Sequence, residues 1–284
     1  MNPQSTIQQA LAEARQRLSP YSESPKLDAE VWLAHLLEQP RAWLLAHPEK
    51  LIDGQSLAAY RQGIEQMEAG RPLPYLLGSW EFFGITFRVD ERVLIPRPET
   101  ELLVEQALEW LKGFEGQAQA ADMGTGSGCI AIAIASNASN VHFEAGDISD
   151  EALVVAAENV RRHSLGGRVR LLQSDVMAEM TGPYDLICAN LPYIPSEHLA
   201  DLAVVKSEPI LALDGGPHGM ALLKRLLNQA AERIATPGLI LAEIDLRHAR
   251  EVENLAQASF SQGNIAILKD LAGKERLLTI RLEE

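Results

Sequence analysis

Apolar positions recur in two different rhythms along the chain. Up to about residue 70 they fall at helical spacing. Ile7, Leu11, Ala14 and Leu18 share one face, and Val31, Leu33, Leu36 and Leu37 mark a second helix. A short piece surrounds Trp43, Leu44 and Leu45, and Leu57, Tyr60, Ile64 and Met67 form a fourth stripe. The punctuation agrees. Ser5 with Gln8 offers a capping box, Pro20 closes the first helix, Ser24-Pro25 opens the second, and Gly70 stops the fourth. Residues 1–70 therefore predict a small helical bundle with no catalytic cluster of its own.

Residues 71–100 change character. Trp80, Phe82, Phe83, Phe87 and Val89 flank Gly84, the pattern of a β-hairpin. An extended segment follows in Leu94-Ile95-Pro96-Arg97-Pro98-Glu99, because each proline biases the residue before it away from helix. Thr100 then reads as the N-cap of a helix through Leu102, Leu103, Leu108 and Leu111.

From about residue 118 strands and helices alternate. The expected strands are Ala118–Met123, Val141–Ala145, Val169–Gln173, Tyr184–Ala189 and Leu239–Ile244. Helical stretches such as Asp150–His163 and Gly219–Ile234 separate them. This alternation predicts an α/β fold with a mostly parallel sheet between helices. Ile265–Lys269 and Arg276–Leu282 have too short a link for a helical crossover, so that pair should be antiparallel. The expected division is a helical domain at 1–70, a hairpin linker at 71–100 and an α/β domain at 101–284.

Open α/β sheets bind ligands at the carboxyl ends of their strands, and four such ends carry polar chemistry here. Gly124-Thr125-Gly126-Ser127-Gly128 follows the first strand and opens a helix. Its glycines permit close backbone approach, and the free N–H groups at the helix start suit a carboxylate. A dinucleotide fingerprint would place Gly or Ala at 129, where this chain has Cys129. Asp147 lies about twenty residues on, the spacing of a ribose-binding carboxylate. Asp175 and Val176 are placed to flank an adenine, the first accepting from its exocyclic amine. Carboxylate, ribose and adenine along successive strand ends describe S-adenosylmethionine; another nucleoside ligand on the same fold is the alternative. After the fourth strand comes Asn190-Leu191-Pro192-Tyr193, a stiff polar turn. The Asn190 side-chain oxygen and the Leu191 carbonyl are acceptors for a planar group bearing N–H donors, with Tyr193 supplying an aromatic face.

Composition narrows the partners. A net charge of −14, with no Lys/Arg cluster, counts against a grip on nucleic-acid backbone. No apolar run is long enough to span a membrane, and the N-terminus has no signal-peptide pattern, so a cytoplasmic protein is expected. Cys129 and Cys188 sit in apolar stretches and read as buried thiols, and the seven histidines show no metal-ligand spacing.

The stretches DMGTGSGCIAIAIA and NLPYIP together resemble the class I S-adenosylmethionine methyltransferases that act on planar amide or amino nitrogens. LIPRPETELLVE at 94–105, RPLPYLLGSWEFFG at 71–84, EPILALDGGPHGM at 208–220 and KDLAGKER at 269–276 are similar more narrowly to the HemK/PrmC family, the glutamine methyltransferases of peptide chain release factors. The resemblance is nearly full length.

It implies a Rossmann-like, seven-stranded methyltransferase domain and a helical domain that recognises the release factor. It also implies methyl transfer from S-adenosylmethionine to the side-chain nitrogen (N5) of the Gly-Gly-Gln glutamine of class 1 release factors, without metal. Gly124, Thr125, Gly126, Ser127 and Gly128 would surround the methionine part, with Asp147 on the ribose and Val176 by the adenine. Asn190, Leu191, Pro192 and Tyr193 would hold the glutamine, Asn190 bordering the cofactor as well, with Phe82 or Phe83 packed nearby. The family usually has proline where this chain has Leu191, which leaves φ at 191 without a ring to lock it. Two other readings fit the turn: an adenine-N6 nucleic-acid methyltransferase, with a flipped base in place of the amide, and a non-catalytic S-adenosylmethionine-binding adaptor. A monomer without stable nucleic acid is expected.

Overall fold

A computed structural model describes residues 5–283. The chain forms two compact units, Met1–Gly78 and Ser79–Glu284. The division falls inside the 71–100 stretch.

The first unit contains α1 (Ile7–Leu18), α2 (Pro25–Leu36), α3 (Arg41–Ala46), α4 (Gly54–Glu68) and α5 (Leu73–Leu77). Its core gathers Ile7, Leu18, Leu33, Leu44, Tyr60 and Ile64, the apolar stripes of the sequence. Helices α2 and α4 approach closely at Gly63, where a Cβ would lie 2.1 Å from Trp32 Nε1. That indole donates to the Tyr60 carbonyl at 3.2 Å, and the Tyr60 hydroxyl donates back to the Ala29 carbonyl at 3.1 Å. The capping box is displaced by one residue from the expected Ser5 and Gln8: Thr6 caps α1 and pairs with Gln9. The reason lies in the chain next to it. Ile52 N–H donates to Ser5 and Thr6 bridges Leu51, which holds Ser5 and Thr6 extended outside the helix.

The second unit opens with the expected hairpin, β1 (Ser79–Phe82) and β2 (Ile85–Arg88). Phe83 and Gly84 both have positive φ, as a two-residue hairpin turn of type I′ requires. Then come α6 (Glu101–Lys112), β3 (Ala118–Met123), α7 (Cys129–Asn137), β4 (Val141–Asp147), α8 (Asp150–Arg162), β5 (Val169–Gln173) and β6 (Tyr184–Ala189). The chain ends through α9 (Ala221–Ala231), β7 (Ile234–Glu243), α10 (Ala249–Ser259), β8 (Asn264–Lys269) and β9 (Glu275–Leu282). The strands form one seven-stranded sheet in the order β5-β4-β3-β6-β7-β9-β8, with β9 alone running against its neighbours. The fold is thus the mostly parallel sheet that the alternation predicts.

Two boundaries differ usefully. Strand β4 runs through Asp147, so that carboxylate belongs to the strand end itself. Ile234 begins β7 and does not end α9. Strand order reverses at β3, which pairs with β4 on one side and β6 on the other. A cleft opens at the carboxyl ends on either side of such a reversal, and the ends of β3 and β6 carry Gly124 and Asn190. Among the described residues no helix is long and apolar enough to cross a membrane.

Candidate active site

A cavity of about 290 Å³ occupies that cleft. Gly124, Thr125, Gly126, Ser127, Asp147, Asp175, Val176, Asn190, Leu191 and Pro192 all line it. Two predicted residues stand behind it. Gly128 caps α7 with φ +81°, and Tyr193 turns its hydroxyl to Glu243.

The loop after β3 is fixed from below. Thr125 N–H donates to the Gly146 carbonyl at 3.0 Å, and Gly128 N–H to Thr125 at 2.7 Å. Asp122 is fully buried; its Oδ2 accepts from the Thr125 hydroxyl at 2.7 Å and from Ala131 N–H at 3.3 Å. Its Oδ1 has no partner among the described residues, and burial pushes the carboxyl up to about 7. Asp147 accepts from Gly126 N–H at 2.8 Å and Ser149 N–H at 2.9 Å. Burial raises its pKa, with those donors opposing. Gly124 sits at φ +67°, and a Cβ there would come within 3.1 Å of Leu191 Cδ2 and 3.3 Å of the Asn190 carbonyl oxygen. The loop and the Asn190 turn therefore touch.

At the far end Asp175 pairs with Arg225 at 2.6 Å. Val176 takes φ +58°, rare for a branched residue, and its carbonyl accepts from the Ser174 hydroxyl at 2.9 Å.

The turn after β6 is supported from behind by the 213–219 loop. Ile194 N–H donates to Leu213 at 3.1 Å, and Gly215 N–H to Ile194 at 2.8 Å. At Gly219 a Cβ would lie 2.1 Å from the Tyr193 carbonyl oxygen, so only glycine allows this approach. Leu191 is 9% exposed and packs into the core beside Met123 and Leu223. Burial of the side chain thus restrains a residue whose φ has no ring to fix it.

Asn190 Nδ2 donates to Thr100 Oγ1 at 3.0 Å, and the Thr100 hydroxyl donates to Glu243 Oε2 at 2.6 Å. The Tyr193 hydroxyl reaches Glu243 Oε1 at 3.3 Å. Burial raises the pKa of Glu243, opposed by Thr100 and Arg276. Burial also drives the Tyr193 phenol upward, helped by Glu243.

Thr100 does not cap α6 through its side chain, as the sequence suggests. A short turn at Pro98–Thr100 puts it in helical backbone (φ −69°, ψ −18°), and its hydroxyl turns to Glu243. Phe82 is not a pocket residue either: it is buried in the hairpin, edge-on to Phe87 at 6.2 Å. Neither Phe82 nor Phe83 is among the lining residues.

Several residues of this region escape sequence reasoning. Glu208 is buried and accepts from Ile95 N–H at 3.1 Å and Arg97 Nη2 at 2.5 Å. It clasps the 94–97 segment to the 208–213 loop, and both border the cavity. Asn159, fully buried, donates to the Ser127 and Arg88 carbonyls at 2.8 and 3.0 Å, tying the glycine loop to the hairpin. Glu243 had a signal: a charged residue ending an apolar strand, as at Asp147.

The residues present suit a nucleoside carrying an amino acid. The glycine loop leaves room that a Cβ would fill, Asp147 borders the same space, and the Ser127 Oγ is buried without a partner among the described residues. In 72% of this chain and 77% of the other, the fold matches the hMettl16 catalytic domain (TM-score 0.57, 14% identity). Fold and site together define a class I S-adenosylmethionine-dependent methyltransferase. Residues 9–78 match the PrmC N-terminal domain and residues 99–215 the methyltransferase small domain. The release factor glutamine methyltransferase of Moorella thermoacetica is 42% identical over 98% of this chain and all of its own length. The same enzyme of Rhodopirellula baltica is 39% identical over 92% of this chain and 90% of its own. The chain belongs to the release factor glutamine methyltransferase family.

Proposed function

We propose that this protein transfers a methyl group from S-adenosylmethionine to the side-chain amide nitrogen of the glutamine in the Gly-Gly-Gln motif of class 1 release factors. The reading has it acting as a cytoplasmic monomer, with the helical unit docking the factor. The observation that supports it most is the contact between the Gly124 loop and the Asn190 turn; a methyl donor held on the loop would lie beside an amide held at the turn.

An amide nitrogen is a poor nucleophile because its lone pair is delocalised into the carbonyl. Removing a proton in the ground state is unnecessary if both N–H bonds are accepted by fixed oxygens. The Asn190 side-chain oxygen and the Leu191 carbonyl take that role, orienting the nitrogen and stabilising it as it gains positive character. As the N–C bond forms and the S–C bond breaks, the nitrogen becomes strongly acidic and one N–H proton leaves to water, giving the neutral methylamide. Gly124 to Gly128 receive the amino-acid part of the cofactor, and Asp147 accepts from the ribose hydroxyls. Val176 lies along the adenine, with Asp175 near its exocyclic amine. The cofactor supplies an electrophilic methyl on a sulfonium, whose charge is relieved on transfer. Residues that hold the amide nitrogen close to the methyl group would contribute further through proximity and orientation.

Incubation with labelled S-adenosylmethionine and a purified release factor should label the factor. A copy with the Gly-Gly-Gln glutamine replaced should stay unlabelled. Equal label on both copies, or label on duplex or single-stranded DNA instead, would overturn the assignment.

A further inference from the structure

A threonine hydroxyl has one proton, and this limits what Thr100 can do. Its hydroxyl faces a buried carboxylate on one side and the Asn190 amide on the other. The proton goes to Glu243 Oε2, because an ionised carboxylate only accepts. Thr100 Oγ1 can then only accept from Asn190, so it must face the Asn190 NH2 group. The Asn190 oxygen is thereby turned the other way, free to accept. Among the described residues no hydrogen bond holds that oxygen.

We propose that Thr100 and Glu243 are positioning residues that fix the direction of the Asn190 side-chain amide, so that its oxygen faces the substrate nitrogen. This rests on the reading of Asn190 as an acceptor for the substrate amide.

The chain of hydrogen bonds has a polarity, and its source is the charge on Glu243. A protonated Glu243 donates to Thr100, whose own proton then points at Asn190. The amide would meet a donor and flip, presenting NH2 to the substrate, where a donor cannot serve. Turnover should thus fall as Glu243 takes up a proton.

The groups around that carboxylate come from every neighbouring segment. They are the Thr100 hydroxyl and the Glu99 charge before α6, the Tyr193 hydroxyl on the turn, and Arg276 on β9. Burial raises the pKa of Glu243 against the pull of Thr100 and Arg276, moving the transition toward neutral pH. Arg276 is itself held by Asp270 at 3.4 Å.

Steady-state kinetics of the full chain on a purified release factor, with cofactor affinity measured by calorimetry, tests this. Thr100→Val keeps the shape and removes the hydroxyl. It should lower kcat by about ten- to a hundredfold while KM for the factor and Kd for the cofactor stay within about threefold. Thr100→Ser should restore most of kcat. The wild-type kcat should have an acid limb that Thr100→Val lacks. Glu243→Gln still offers an acceptor to Thr100 but cannot titrate, so it too should lose the limb. Its profile decides the matter if Thr100→Val does not fold.

Thr100→Val with wild-type kcat, Thr100→Ser no better than Thr100→Val, or an acid limb kept in Glu243→Gln would each overturn the positioning role. Asn190→Ala tells the two levels apart. If it is inactive while Thr100→Val is fully active, the relay alone fails; if it is active, the acceptor assignment fails with it.

Discussion

The loop after β3 and the turn after β6 meet at one cavity but are held in different ways. Gly124 to Gly128 form a surface of main chain, shaped by positive φ and pinned by Asp122 just before the loop and by Asp147 at the end of the neighbouring strand β4. Asn190 is aimed by side chains that arrive from far away along the chain, Thr100 before it and Glu243 after it. A backbone cradle tolerates changes around it so long as the glycines remain. A side-chain relay fails when any one member loses its hydrogen-bonding group.

The sharpest test of this contrast is Asn190→Ala. It should reduce turnover by on the order of a thousandfold while cofactor affinity changes less than about threefold, because only the acceptor side is touched. Loss of cofactor binding in the same variant would merge the two regions. Gly124→Ala comes next. The left-handed backbone costs about 1–2 kcal/mol, and the new methyl presses on Leu191 and the Asn190 carbonyl. Cofactor affinity should fall about ten- to thirtyfold, and kcat should fall with it. Gly126→Ala carries the same strain but meets nothing nearer than 3.9 Å, so kcat should hold. Calorimetry beside single-turnover rates separates the pair.

Leu191→Pro should act on stability more than on rate. It restores the residue usual in the family and interrupts no backbone hydrogen bond from 191 among the described residues. It does empty a buried apolar site, at a cost of about 1–3 kcal/mol visible in denaturant melts.

An effect that depends on pH, and not on substrate or cofactor, is expected at Asp122. Its carboxyl is raised to about 7 in the folded protein, against about 4 when unfolded. The folded state then holds the proton more tightly, so the neutral form stabilises below pH 4 and that contribution is lost as pH rises through 7. Asp122→Asn removes the loss. Its Tm without cofactor should gain on wild type between pH 5 and 8, and a constant gap would show that Asp122 is not a buried neutral acid.

The same contrast explains what could be read from sequence. The helical stripes, the hairpin at Gly84, five parallel strands and the antiparallel end all follow from local periodicity and punctuation, and the folded chain has them. The glycine loop is legible because a backbone cradle leaves its mark within one strand-loop-helix segment, and Asp147 because it closes the next strand at a recognisable spacing. The roles of Thr100, Glu208 and Asn159 are not legible, because each acts on a residue more than thirty positions away. Thr100 even sends a false local signal, since a threonine before an acidic helical run looks like a cap. Phe82 misleads similarly: an aromatic in a hairpin looks available, and only packing shows that Phe87 covers it.

Strand β9 slides between β7 and β8, and it sets Leu277 opposite Glu243 and Arg276 close to that carboxylate. During synthesis the chain must therefore run 33 residues beyond Glu243 before that carboxylate meets its cation. At ordinary elongation rates this is a delay of roughly 2–7 s. The strands β3, β4 and β5, with the glycine loop and Asp147, have all been made well before then. On the assignment proposed above, the nascent protein acquires a place for its methyl donor first, and the cation beside Glu243 only as the final strand is laid down.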